Sequence, residues 1–150
     1  MENRLDEIKR DLEHLLQSQP LAVLATHKEG QPYANLIAFA SSNDLKRLYF
    51  ATTRATRKYA GISADPRVAM LVDNRSNKTS DFRSAMAATA TGKAREVAPA
   101  EKATTLALYL AKHPYLKDFV NSPTCSLFEI RVQTYFVVTR FQNVVEIHAE

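Results

Sequence analysis

The chain has 150 residues, 45% of them hydrophobic and 24% charged, with three Gly, six Pro, one Cys and no Trp. That length suits one globular domain with a modest core; the composition excludes collagen-like and low-complexity chains, and no apolar run reaches the length of a membrane span. The net charge of +4 permits nucleic-acid binding, but the cations are scattered among acids, so charge alone selects no partner.

The first residues, Met1 to Lys9, alternate charge and lack an apolar signal core, so no secretion signal is expected and the cytoplasm is the default location. Leu5, Ile8, Leu12, Leu15 and Leu16 recur at helical spacing and predict an amphipathic helix over 3–18, ended by Pro20. Residues 21–27 and 32–40 are two extended runs around a turn with Gly30, a hairpin. A turn over 41–44 leads to an aromatic strand at 47–52. A short helix over 56–64 ends at Asp65-Pro66, and 68–72 is a buried strand. The polar stretch 73–83 is the longest loop, and the Ala/Thr alternation of 85–97 predicts one long strand with a bulge near Gly92. Pro99 opens a helix that His113-Pro114 breaks, with a further helical piece over 115–120. Residues 126–132 and 135–147 alternate as two long antiparallel strands. The fold class is therefore mainly β: an antiparallel barrel of about seven strands with three to four peripheral helices, in one domain over 1–150, the barrel occupying 20–147.

The stretch Leu48 to Lys58 carries the clearest chemistry. A strand pattern runs into two hydroxyls, Thr52 and Thr53, then into Arg54, Arg57 and Lys58 at i, i+3 and i+4. On a helix those cations share one face near free N–H groups of the first turn, a cradle for a phosphate; a solvated basic helix is the competing reading. Other chemistry is poorly represented. No Gly-x-Ser-x-Gly elbow, Walker loop or Rossmann fingerprint occurs, and His14, His27, His113 and His148 have no metal-ligand spacing. The lone Cys125 lies in a strand pattern and reads as packing. Nucleic acid would require stacking aromatics beside the cations, but Tyr49 and Phe50 must face opposite sides of their strand, so none is expected as a partner.

Taken in order, residues 20–26, 30–39, 48–52, Arg57-Lys58, 65–69, 92–96 and 135–141 resemble the pyridoxamine 5′-phosphate oxidase-like flavin-binding split barrels over nearly the whole chain. The resemblance implies a homodimer with FMN in the groove between subunits. It further implies that Arg57 and Lys58 hold the FMN phosphate, that Thr52 adds a hydroxyl, and that Asn35, Leu36, Ile37 and Ala38 lie against the ribityl chain and ring, chiefly through backbone groups. The chain also departs from the true pyridoxamine phosphate oxidases. Their Arg at the start of the second barrel strand is Asn35 or its neighbour here, their Gln before Gly-Lys-Ala is Ala87, and their C-terminal arginine motif is not recognisable in residues 139–142. Oxidation of pyridoxine phosphate is thus not expected. The resemblance points instead to a small FMN-dependent oxidoreductase fed by a reduced nicotinamide, with no membrane partner and no legible catalytic acid or base. Alternatives are a non-catalytic flavin carrier or sensor, a haem-binding or haem-degrading relative using His148, and a deazaflavin-dependent reductase.

Overall fold

The computed structural model describes residues 3–150; Met1 and Glu2, where the charge-alternating N-terminal segment begins, lie outside the described residues. Helix α1 (Arg4–Ser18) is capped by the Asn3 side chain, which accepts the Asp6 N–H. It buries Ile8, Leu12, Leu15 and Leu16, while Leu5, expected on that stripe, is 42% exposed one turn outside it. Strands β1 (Leu21–Lys28) and β2 (Gln31–Ser41) form the expected hairpin, joined through Glu29 and Gly30, both at positive φ. There follow β3 (Arg47–Thr53), α2 (Arg57–Ala64), β4 (Arg67–Asp73), α3 (Asp81–Ser84) and β5 (Met86–Glu96). Then come α4 (Lys102–Lys112), a 3-10 turn (Pro114–Leu116), α5 (Lys117–Val120), β6 (Cys125–Thr139) and β7 (Asn143–His148). The stretch 73–83 read as loop thus ends in the short α3, because the Asp81 carboxylate gathers the backbone N–H groups of Ser76, Asn77 and Lys78 into a closed turn.

All pairings are antiparallel in the order β3-β2-β1-β4-β5-β6-β7, and β3 also pairs with β6. Six strands therefore close into a barrel, and β7 extends one side of β6. The barrel is filled by Leu24, Phe39, Leu48, Phe50, Met70, Ile130 and Tyr135, with α1 plugging one end. A second cluster outside the wall packs Tyr109 of α4 on Ala40, Tyr49, Ala51 and Leu127. Consequently both Tyr49 and Phe50 are buried, on opposite faces of β3. Where one of the pair had to enter a core, each enters a different one.

Two irregularities shape the surface. Strand β6 is continuous, not the two strands expected from the pattern, and turns only at Arg140-Phe141, both at positive φ. Its inward positions change parity, from Phe128, Ile130 and Val132 to Tyr135 and Val137, because the register with β5 slips between Thr91 and Gly92. One extra residue in β6 accommodates the change, a bulge. The second irregularity is a split: β2 pairs with β3 only over Phe39–Ser41, so its earlier residues have β1 on one side and, among the described residues, no strand on the other. The carbonyls of Ala38 and Phe39 instead accept the Tyr109 hydroxyl and meet His113 Nε2, at 3.1 and 2.7 Å.

Candidate functional site

At the start of α2, Thr56 is the N-cap, its hydroxyl accepting the Tyr59 N–H. The helix begins only at Arg57, so Arg54 precedes it and its guanidinium donates to the Pro123 carbonyl at 2.9 Å. The three-cation helical face expected from spacing does not form, because Arg54 lies outside the helix. Thr52 is 1% exposed and its hydroxyl lies 2.9 Å from that of Thr56, so it braces the cap from the strand end. Opposite Thr52 in the β3–β6 register is Ser126, whose buried hydroxyl has no hydrogen-bond partner among the described residues.

Arg57 and Lys58 are consecutive on α2, about 100° apart around its axis, and line different cavities. Arg57 sits 5.7 Å from the Tyr33 ring centroid at the edge of a 580 Å³ cavity shared with Thr26, His27, Pro32 and Gly61. The helix approaches β1 there through Gly61, where a Cβ would stand 3.1 Å from the Thr26 hydroxyl. Lys58 faces a 310 Å³ cavity bordered by Leu36, Ile37, Ala38, Ala51, Tyr109, Leu116 and Phe119. Burial lowers its pKa, and among the described residues it has no hydrogen bond or ion pair. A partly desolvated ammonium beside an apolar wall is an open position for an anion.

Of the residues singled out in the sequence, the structure therefore brings Leu36, Ile37, Ala38 and Lys58 around one cavity. The wall is the unpaired edge of β2, so backbone groups as well as side chains are offered to a ligand. Asn35 lies one residue further along that edge, and its Oδ1 is buried without a partner among the described residues. Sequence reasoning did not find Tyr109, Leu116 and Phe119, which complete the cavity from the helical segment 102–120; their helical spacing signals burial but not what they pack against.

The four histidines do not converge, and among the described residues no three metal-ligating side chains cluster. His113 is buried against β2, His27 Nε2 lies 3.1 Å from Asp65, and His148 is exposed on β7 beside Thr134. Cys125 is free and buried as expected. No helix among the described residues is long and apolar enough to cross a membrane.

The profile of pyridoxamine 5′-phosphate oxidase matches residues 8–139. None of the curated proteins matches the chain. Among solved structures, a haem-binding protein from Mycobacterium smegmatis superposes with a TM-score of 0.81 at 18% identity, over 91% of this chain and 56% of that one. Campylobacter jejuni ChuZ gives 0.82 at 13%, over 98% of this chain and 61% of its own. An FAD-binding protein from Mesorhizobium loti gives 0.69 at 19%, over 86% and 90%. These likenesses establish the split-barrel fold with peripheral helices; the chain spans little more than half the length of the first.

Proposed function

This chain belongs to the pyridoxamine 5′-phosphate oxidase family, and from that premise we propose that it is a homodimeric FMN-binding oxidoreductase, taking electrons from a reduced nicotinamide and passing them to a small acceptor. The observation that carries the proposal is Lys58: an unpartnered, half-buried cation beside the open edge of β2. The residues present fit the cofactor. Lys58 and Arg57 supply positive charge for a phosphate from two sides of the α2 start, Thr52 and Thr56 hold that start rigid, and the buried Asn35 Oδ1 lacks a donor that a polar ligand would provide. The small side chain of Ala38 leaves room for a flat ring to approach the strand. When bound, FMN would supply hydride and single-electron transfer, which no side chain of this chain can perform.

A shared groove is supported by the outer face of the barrel. Leu36, Val23, Leu71 and Thr89 stand in one row across β2, β1, β4 and β5, and Ala34, Ala25, Ala69 and Thr91 in the next. Leu36 is 62% exposed at the margin of both that face and the Lys58 cavity, so a second subunit packed there would cover the ring. The FAD-binding relative lends support to flavin in this fold.

The double variant Arg57→Ala with Lys58→Ala is expected to lose FMN; a variant that stays yellow with unchanged affinity refutes the assignment. Stopped-flow mixing of the yellow protein with NADPH or NADH distinguishes an enzyme, whose flavin bleaches within seconds, from a carrier or sensor. The haem reading, suggested by the name of the Mycobacterium smegmatis relative, would place haem at His148; a Soret band on haemin titration that His148→Ala abolishes would favour it over flavin.

A further inference from the structure

Across the barrel wall, Arg67 of β4 stands opposite Lys93 of β5, Lys93 opposite Arg131 of β6, and Arg131 opposite Arg47 of β3. Four cations on four successive strands thus form an in-register row on the outer surface, about 14 Å long at the usual strand spacing. Like charges placed directly opposite each other destabilise a sheet. The two ends of the row are relieved: Asp65 chelates Arg67 at 2.7 and 3.0 Å, and Arg47 meets Glu129 at 3.6 Å and Glu101 at 4.0 Å. Its centre is not. Lys93 and Arg131 are exposed, side by side, and without a carboxylate partner among the described residues.

The row joins two concavities. At one end a 440 Å³ hollow is bordered by Lys46, Arg47, Arg131 and the acidic Glu150; at the other a 530 Å³ hollow is bordered by Arg67, His27 and Gln133, and by Ala25, Ala69 and Thr91 at the margin of the face proposed to meet a second subunit. We propose that this row is a binding site for a soluble ligand built on pyrophosphate, a nucleoside diphosphate or a dinucleotide, with the linked phosphates on Lys93 and Arg131 and the rest of the ligand in the flanking hollows. Two adjacent unpaired cations match two linked phosphates, and the Arg131 guanidinium can grip one of them with two N–H donors. Ion pairing at both ends confines the free charge to the centre, which suits a short anion better than a nucleic-acid strand, whose backbone would need free cations along its length. The register slip beside Gly92 creates the site. The β5–β6 register beyond the slip, carried on unbroken, would set Lys93 opposite Val132; the slip sets it opposite Arg131 instead. The site rests on this row and not on the flavin reading, although a reduced nicotinamide dinucleotide belongs to the ligand class.

The test is calorimetric titration of the full chain with inorganic pyrophosphate, ADP and NADPH, repeated with Lys93→Gln plus Arg131→Gln and with Arg57→Ala plus Lys58→Ala. Wild type should bind pyrophosphate and ADP with Kd below about 1 mM, weakening as salt rises, and the ladder variant should bind at least about tenfold more weakly. The ladder variant should also melt no lower than wild type, since it removes a repulsion. The Arg57/Lys58 variant should keep its pyrophosphate affinity even if it loses FMN, so this proposal and the flavin assignment fail separately. No saturation by pyrophosphate, equal affinity in the ladder variant, a lowered melting temperature in it, or tight binding of a single-stranded oligonucleotide that pyrophosphate cannot displace would each overturn the proposal.

Discussion

Gly92→Ala is the sharpest test of the β5–β6 geometry. A Cβ built at Gly92 would lie 2.2 Å from the Arg131 carbonyl oxygen and 3.1 Å from the Val132 Cα, and both are backbone atoms of a strand paired on its two sides. Rotating a side chain cannot relieve the contact; the strands must part by about 1 Å at the bulge. Overpacking of that kind costs about 1–3 kcal/mol, and disrupting one or two ladder hydrogen bonds adds about 1 kcal/mol each, so a loss of about 2–5 kcal/mol is expected. For a chain of this size that lowers Tm by about 4–20 °C, measurable by circular dichroism. Because the slip aims Lys93 at Arg131, the variant should also bind pyrophosphate more weakly. A Tm within about 1 °C of wild type, near the scatter of surface substitutions, would refute the close approach.

Other substitutions probe the site and its supports. Burial lowers the Lys58 pKa from its ordinary 10.5, and a bound phosphate would raise it again, so binding above the lowered value requires proton uptake. FMN affinity, followed by fluorescence quenching, should fall as pH rises from neutral toward the ordinary lysine value of 10.5, and Lys58→Ala should flatten that slope; parallel slopes would exclude Lys58 from the phosphate. Glu129 is 1% exposed and shared by Arg95 and Arg47, so Glu129→Gln should cost about 1–2 kcal/mol in urea unfolding, discounted because Arg95 is half exposed. Tyr109→Phe removes the donor to the Ala38 carbonyl and should cost about 1 kcal/mol while loosening FMN binding; unchanged affinity would separate α4 from the cofactor cavity.

Local patterns in the sequence carry most of the barrel. The alternation of Ala and Thr before Gly92 gives β5 and its irregularity, and the hairpin of β1 and β2 follows from two apolar runs around Gly30. The phase break at Gln133-Thr134 is also visible, but a change of parity is common to a chain that turns and a chain that bulges. Only the partners on either side, β3 below and β7 above, keep the strand extended. The cation spacing at 54, 57 and 58 is similarly ambiguous, because the Thr56 cap decides where the helix starts. Lys58 and the segment 36–38 were legible as candidates through the family resemblance. That they share a cavity, and that Arg57 opens into another, depends on the split between β2 and β3 and on helices distant in sequence. The four-cation row is invisible to any reading along the chain, since its members lie 47, 67, 93 and 131 residues from the start.

The unpaired margin of β2 has a colloidal consequence. An exposed strand margin with free amides and an outward Leu36 is a template on which another chain can add a strand, and natural proteins usually blunt such margins. Here Tyr109 and His113 occupy two of the carbonyls, but the stretch from Asn35 to Ile37 depends on whatever fills the neighbouring cavity. Cofactor supply would then govern solubility as well as activity: protein made under flavin starvation should scatter light and seed β-rich aggregates sooner than protein purified yellow, and adding FMN before concentration should suppress them.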